Sequence, residues 1–477
     1  MLFSSVVFLF YFLPLFFLFY YVAPWKNGVL LAASLLFYAW GEPVYVLLLL
    51  ISIGLNFGCG LLIDREQRSG GSGRLSLALG VIGNLLTLAY FKYFNFLIDS
   101  VASLTGSLGV PAPKAPPILL PLGISFFTFH ALSYLIDVYR RHVSAERNLL
   151  ALGTYITMFP QLVAGPIIRF KTVSKELHQR RVVPSRVRLG IELFIVGLAQ
   201  KVLLANTLAL PADQIFALPL IDLSCATAWL AAVSYTLQIY FDFAGYSNMA
   251  IGLGLMIGFA FPKNFDYPYI SQSVTEFWRR WHISLSSWLR DYLYIPLGGN
   301  RRGMARSYAN LLIVFILCGL WHGASWTFVA WGVYHGFFLI VERLGLLTLL
   351  AGLPVAFQRG YVLLAVIVGW VLFRSDTFGQ AQATLVAMAG YGSGDPTLHP
   401  LAEYLSGSVV AALLIGTIAV TPAGQQLGIE IGRRARSGSM PGLLARMIHA
   451  GFAACLLFLS VASLASGTYN PFIYFRF

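Results

Sequence analysis

Long apolar runs separated by short basic loops set the pattern of this chain. Residues 2–22 are apolar and aromatic, with no basic residue ahead of them and no small-residue cleavage site, so they read as a retained span. Residues 29–63 are apolar again but interrupted by Gly41-Glu42-Pro43, which predicts one kinked span or a span plus a partial helix. A polar, Gly/Ser-rich loop follows at 64–74. Residues 75–98 and 118–138 form spans on either side of a Pro-rich loop at 111–117. Further apolar runs lie at 191–210, 226–257, 361–373, 409–420 and 448–464, with an amphipathic piece near 379–389. The expectation is an all-α polytopic membrane protein, one domain over 1–477, with roughly nine to thirteen membrane segments.

Two stretches depart from simple crossing. Residues 148–168 are uncharged, yet Arg140, Arg141 and Arg147 precede them and Arg169, Lys171, Lys175, Arg180, Arg181, Arg186 and Arg188 follow. Both basic loops cannot be cytoplasmic if the segment crosses fully. Pro160, Gly165 and Pro166 allow it to turn back, so 159–169 is predicted as a re-entrant wall of a pore or pocket. Residues 275–295 are amphipathic: Trp278, Trp281, His282, Leu285, Trp288, Leu289 and Tyr292 recur at three-and-four spacing, while Glu276, Arg279, Arg280, Ser286, Ser287, Arg290 and Asp291 fall largely elsewhere. This predicts an interfacial helix with His282 on or beside its apolar face. By physics alone such a histidine is more often packed than catalytic.

From 307 to 341 there is no Asp, Glu, Lys or Arg, and Gly319-Leu320-Trp321-His322-Gly323 sits near the middle. A helix rises ~1.5 Å per residue and a bilayer core is ~30 Å thick, so the stretch overshoots one crossing and must bend or break. Gly319 and Gly323 are the cheapest places. An ionisable group at membrane depth reads by default as a functional site facing a cavity; the alternative is a histidine hydrogen-bonded between helices. Asp242, within the apolar run 238–246, likewise needs a partner, either in a polar network near the site or at a neighbouring helix end. Cys318 precedes His322 by four residues and shares its face if the helix is intact, which opens a covalent route through a thiolate.

Composition agrees with the class: 58% hydrophobic, 11% charged and a mean hydropathy of +0.75 are far from soluble domains. The four cysteines sit in apolar runs without CxxC spacing, which indicates neither a disulfide framework nor a zinc site. The net charge of +13 resides in short loops, where cytoplasmic retention of Lys and Arg explains it without nucleic acid. No internal repeat supports a transporter of the inverted-repeat kind, and no Walker, GxGxxG, HExxH or GxSxG element occurs.

Several blocks together are similar to one family, the membrane-bound O-acyltransferases (MBOAT), and within it the alginate O-acetyltransferase branch. They are 121–129 (Pro-Leu-Gly-Ile-Ser-Phe-Phe-Thr-Phe), 159–169, 240–254, 275–282 through 296–301, and 319–323. The resemblance covers nearly the whole chain. It implies an MBOAT fold with re-entrant and interfacial helices around a central tunnel. His322 then matches the principal catalytic histidine and His282 the second active-site position, with Asp242 and Trp321 as supporting polar groups and Arg279, Arg280 and Arg301 as candidate contacts for the donor. Ala244 and Asn248 depart from the family pattern, often Ser and Asp, so no catalytic role is carried to them. The implied donor is acetyl-CoA, with no bound cofactor or metal. The implied acceptor is an extracytoplasmic polysaccharide, reached with a periplasmic partner protein from the bacterial inner membrane. D-alanyl transfer to a cell-wall polymer, and a polysaccharide or lipid transporter, remain as alternatives.

Overall fold

A computed structural model describes residues 1–110, 115–437, 441–467 and 469–473, so positions 111–114 of the Pro-rich loop lie outside the described residues. Among the described residues there are helices and connecting loops but no strand. In chain order the principal helices are α1 (Phe8–Val22), α2 (Lys26–Ala39), α3 (Val46–Arg68), α4 (Arg74–Ser107), α5 (Ile124–Tyr139), α6 (Leu149–Thr157), α7 (Phe170–His178) and α8 (Pro184–Phe216). They continue with α9 (Cys225–Met256), α10 (Val274–Arg280), α11 (Ile283–Leu289), α12 (Met304–His322), α13 (Trp326–Ala351) and α14 (Val355–Arg374). The last three are α15 (Gly407–Ala419), α16 (Ala423–Arg436) and α17 (Gly442–Ser466).

Seven of these are long and apolar enough to cross a membrane, namely α3, α4, α8, α12, α13, α14 and α17. The bent pair α15 and α16, turning by 68°, makes up to eight, while α1, α2 and α5 are apolar but shorter. The expected nine to thirteen segments thus separate into full spans and half-length pieces. The Gly41-Glu42-Pro43 interruption accounts for one such piece, since it leaves α2 too short to cross alone.

The chain gathers into two compact units, one of residues 1–191 and 250–262, the other of 192–249 and 263–477. In the first, α5 is buried along almost its whole length. The segment after Asn148 does turn back. Its α6 is only 9 residues long, ended by Met158 (φ −47, ψ 113), and 9 residues of helix rise ~14 Å, under half of a bilayer core. The backbone beyond it is buried from 158 to 168 and takes partners within protein: Tyr155 donates its hydroxyl to Ile168 O at 2.9 Å, and Phe159 N donates to Ser34 Oγ at 3.0 Å. Phe159 is packed by Phe3, Phe8, Phe12, Phe16 and Phe37 at ring distances of 5.0–6.3 Å. The basic loops on either side meet directly, with His178 Nε2 2.7 Å from Glu146 Oε2.

The second unit is pinned by a charge pair inside its core. Around Lys201 the helix α8 widens to π geometry over Gln200–Ala205. Lys201 Nζ lies 2.6 Å from Asp242 Oδ1 on α9, both side chains only 2% exposed. The other Asp242 oxygen accepts from Ile473 N at 2.9 Å. Lys201 also donates to Asn206 Oδ1 and to Pro471 O, and Asn206 donates to Asn470 Oδ1. The C-terminal segment is therefore stitched to α8 and α9 through this pair, with Phe472 packed on Tyr246.

Two outcomes follow from these arrangements. Single cysteines at the exposed positions Arg147 and Lys171 should both be labelled by an impermeant maleimide from the same face of the membrane, whereas labelling from opposite faces contradicts the turn-back. Lys201→Met should cost about 3–5 kcal/mol of stability in detergent-solubilised protein, because an unpaired buried carboxylate remains, and Lys201→Met with Asp242→Leu should regain much of that loss. Thermal unfolding of the three proteins checks the order.

Candidate active site

Within the second unit, two histidines predicted from the sequence come together. His322 is the last residue of α12, and the rings of His322 and His282 lie 6.5 Å apart, with both side chains buried. Trp321 borders both, at 5.0 Å from His322 and 6.0 Å from His282. Trp331 of α13 and Phe373 of α14 each face His322 at 5.3 Å, near edge-on. Phe243 of α9 meets His282 at 4.5 Å and 90°. The histidines are thus enclosed by aromatic rings from four helices.

The break in the uncharged stretch falls at Gly323 and not at Gly319. α12 is continuous through Gly319, and Gly323 is extended (φ −155, ψ 146) before Ser325 caps α13 by accepting from Thr327 N. Gly319 has another task. A Cβ there would lie 2.2 Å from Phe328 O, and one on Gly332 would lie 2.3 Å from Phe315 O, so α12 and α13 pack backbone against backbone. Such close approach is how helices associate in lipid, where apolar burial offers no preference for protein over solvent. Cys318 does share the face of His322 on this unbroken helix and is buried.

The expected single amphipathic helix at 275–295 is a correction. It is two short helices, α10 and α11, parted at Trp281 and His282, and His282 takes a left-handed conformation (φ 44, ψ 54). The loop 264–266 captures the backbone that would have continued the helix. Asp266 N donates to Arg280 O at 2.9 Å, and Ile283 N donates to Asn264 O at 2.9 Å. The amphipathic spacing was real but carried through the break. Burial, with the neighbouring His322 imidazole a lesser cause, holds the His282 pKa well below its ordinary 6.5, so the ring is neutral.

Other predicted residues go elsewhere. Asp242 takes its partners from Lys201 and Ile473, as above, and it is the next residue, Phe243, that touches His282. Arg280 is held by Glu276 at 2.8 Å and by Asp266 O at 3.1 Å, while Arg279 and Arg301 are exposed. Among the described residues no group of three or more His, Cys, Asp or Glu is placed to hold a metal ion. Sequence reasoning missed Glu342, a buried carboxylate on α13 that accepts from Val274 N, Thr275 N and Thr275 Oγ1 at 2.6–2.8 Å. It fixes the start of α10, hence the approach to His282. Its signal was its position as the first charge after the long uncharged run.

Comparison with known proteins bears on what such a site does. A family model described as MBOAT, membrane-bound O-acyltransferase family, matches residues 73–366. A protein of Azotobacter vinelandii named as probable alginate O-acetylase AlgI is 41% identical over 503 residues, covering 100% of both chains. A peptidoglycan O-acetyltransferase of Helicobacter pylori is 38% identical over 72% of this chain and 70% of its own. A teichoic acid D-alanyltransferase of Bacillus subtilis is 29% identical over 54% of this chain and 65% of its own.

The close α12–α13 contact generates a sign test. Alanine ordinarily stabilises a helix interior by roughly 0.5–1 kcal/mol over glycine. Here Gly319→Ala and Gly332→Ala should each lower the yield of folded, monodisperse protein and its unfolding temperature, because the added methyl meets a carbonyl and not a yielding side chain. Unchanged or raised unfolding temperature in both would contradict the packing.

Proposed function

The chain belongs to the membrane-bound O-acyltransferase family, and on that premise we propose that it moves acetyl from cytosolic acetyl-CoA toward hydroxyls of an exopolysaccharide of the alginate kind. The reading places it in the bacterial inner membrane, with a periplasmic protein receiving or completing the transfer. The observation that carries it is the enclosed pair His322 and His282 within an aromatic wall, in a chain that matches alginate-type relatives over its whole length. The peptidoglycan and teichoic acid relatives support acyl transfer to a polymer. Labelled acetyl-CoA set against a D-alanyl carrier protein as donor separates the acetyl reading from the D-alanyl one.

In the proposed chemistry the acceptor hydroxyl approaches His322, whose neutral imidazole takes the proton as the oxygen attacks the thioester carbonyl. The new C–O bond forms, the C–S bond breaks, and the proton passes to the departing thiolate of CoA. His282, neutral and buried, orients the acceptor or His322 itself. The phosphates of the donor would be met by guanidinium groups, for which exposed Arg279 and Arg301 are the candidates. A tunnel with His322 at its narrow middle would let donor and acceptor enter from opposite sides. Direct transfer is favoured over a Cys318 thioester, since an apolar setting makes a thiol a poor nucleophile.

His322→Ala should lower polymer acetylation by about 10²- to 10⁴-fold while the protein inserts and purifies as wild type does. His282→Ala should lower it strongly but by less, and Cys318→Ser should keep most of it. Acetyl content of the exopolymer from cells carrying each variant as sole copy is the readout. Near wild-type acetylation in His322→Ala removes the assignment; loss in folded Cys318→Ser, with a hydroxylamine-labile acetyl on the wild-type chain, replaces direct transfer by a thioester intermediate.

A further inference from the structure

Asn264 is fully buried, and its backbone carbonyl and both side-chain polar atoms are engaged. Its backbone carbonyl accepts from Ile283 N at 2.9 Å. Its Oδ1 accepts from Ser284 N at 3.2 Å and from Ser284 Oγ at 2.8 Å, and lies 3.1 Å from His282 Nδ1. Its Nδ2 donates to Ser247 Oγ at 3.0 Å. Ser247 stands one helical turn beyond Phe243 on α9, so one face of that helix supports both the asparagine and the histidine ring.

The orientation of this amide is fixed by chemistry. The backbone N–H of Ser284 can only donate, so the atom facing it must be the oxygen; turning the amide over would set two donors against each other. An amide oxygen can only accept, so a neutral His282 ring bonded to it must carry its proton on Nδ1. The consequence lies on the other side of the ring. Nε2 then holds the lone pair, and among the described residues it is buried with no hydrogen-bond partner. A bare lone pair buried among aromatic rings is costly unless something arrives to donate to it.

From this we infer that Asn264 is a positioning residue that locks His282 in the Nδ1–H tautomer and presents Nε2 as a hydrogen-bond acceptor for a second hydroxyl of the acceptor, beside the one whose proton His322 takes. The inference rests on the proposed acyl-transfer role of the two histidines. It refines that role, because it makes His282 an acceptor and excludes it as the donor that would polarise a carbonyl through Nε2. The substrate group it recognises is an O–H, which is the group the acceptor brings and the thioester lacks. The same residue also explains the broken helix: the capture of Ile283 N and Ser284 N by Asn264 is what turns His282 out of the α10 axis.

The test reads the tautomer and the activity separately. Solid-state ¹⁵N NMR of histidine-labelled full-length protein in lipid bilayers, with His282→Gln subtracted to assign the ring, should show His282 with Nδ1 protonated and Nε2 bare. Asn264→Leu should abolish that pattern and lower exopolymer acetylation about tenfold or more, because an acceptor held by a misoriented ring loses its attack geometry. Asn264→Asp, which keeps the accepting oxygen, should retain the Nδ1–H pattern and restore acetylation to within about threefold of wild type. A bare Nδ1 in the wild-type protein overturns the inference without any variant. So does Asn264→Leu with wild-type acetylation while His282→Ala is inactive. A merely structural role predicts Asp as damaging as Leu, and that outcome also overturns it. If His282→Ala itself keeps full acetylation, the underlying reading of His282 falls and takes the catalytic half of this inference with it, while the spectrum still decides the tie to Asn264.

Discussion

Backbone contact between α12 and α13 is the constraint on which the site depends. Gly319 against the carbonyl of Phe328, and Gly332 against that of Phe315, bring two spans as near as helices can lie. In lipid there is no gain from hiding apolar surface, so dispersion between closely apposed backbones must hold such a pair. The consequence for chemistry is placement. With α13 at that distance, Trp331 reaches the ring of His322 and Phe373 of α14 closes behind it. Any side chain larger than hydrogen at Gly319 would push the wall away from the histidine.

Around this contact the buried charges are taken up by structural partners. Glu342 lies on the same helix α13 and gathers two backbone amides and a hydroxyl at the start of α10. Lys201 and Asp242 satisfy one another and take up the C-terminal segment. A buried carboxylate is tolerable on such terms, hydrogen-bonded by amides and hydroxyls or paired with a cation. His282 is treated differently: one nitrogen is tied to Asn264 and the other, among the described residues, has no hydrogen-bond partner.

Much of this was legible in the residues, and the failures have physical causes. The long uncharged run with His322 at its centre, the turn-back at Pro160 and the interruption before Pro43 all follow from local rules of length, charge and backbone freedom. The break at His282 does not, because three-and-four spacing continues across it and the agent, Asn264, stands 18 residues upstream in another element. Asp242 was correctly seen to need a partner. Its partner, Lys201, lies on a helix whose lysine reads from sequence as an ordinary interruption of an apolar run. Which of the expected membrane segments cross fully was not legible, because a half-length apolar helix and a whole one share the same composition.

The claim at the centre is that His282 and His322 act as one unit, and a double-mutant cycle on labelled acetyl transfer in membranes measures it directly. The account predicts that the protein lacking both imidazoles is scarcely slower than His322→Ala alone, because His282 has nothing to serve once His322 is gone. Penalties that multiply, each histidine costing its full factor in the absence of the other, would show two independent sites and contradict it.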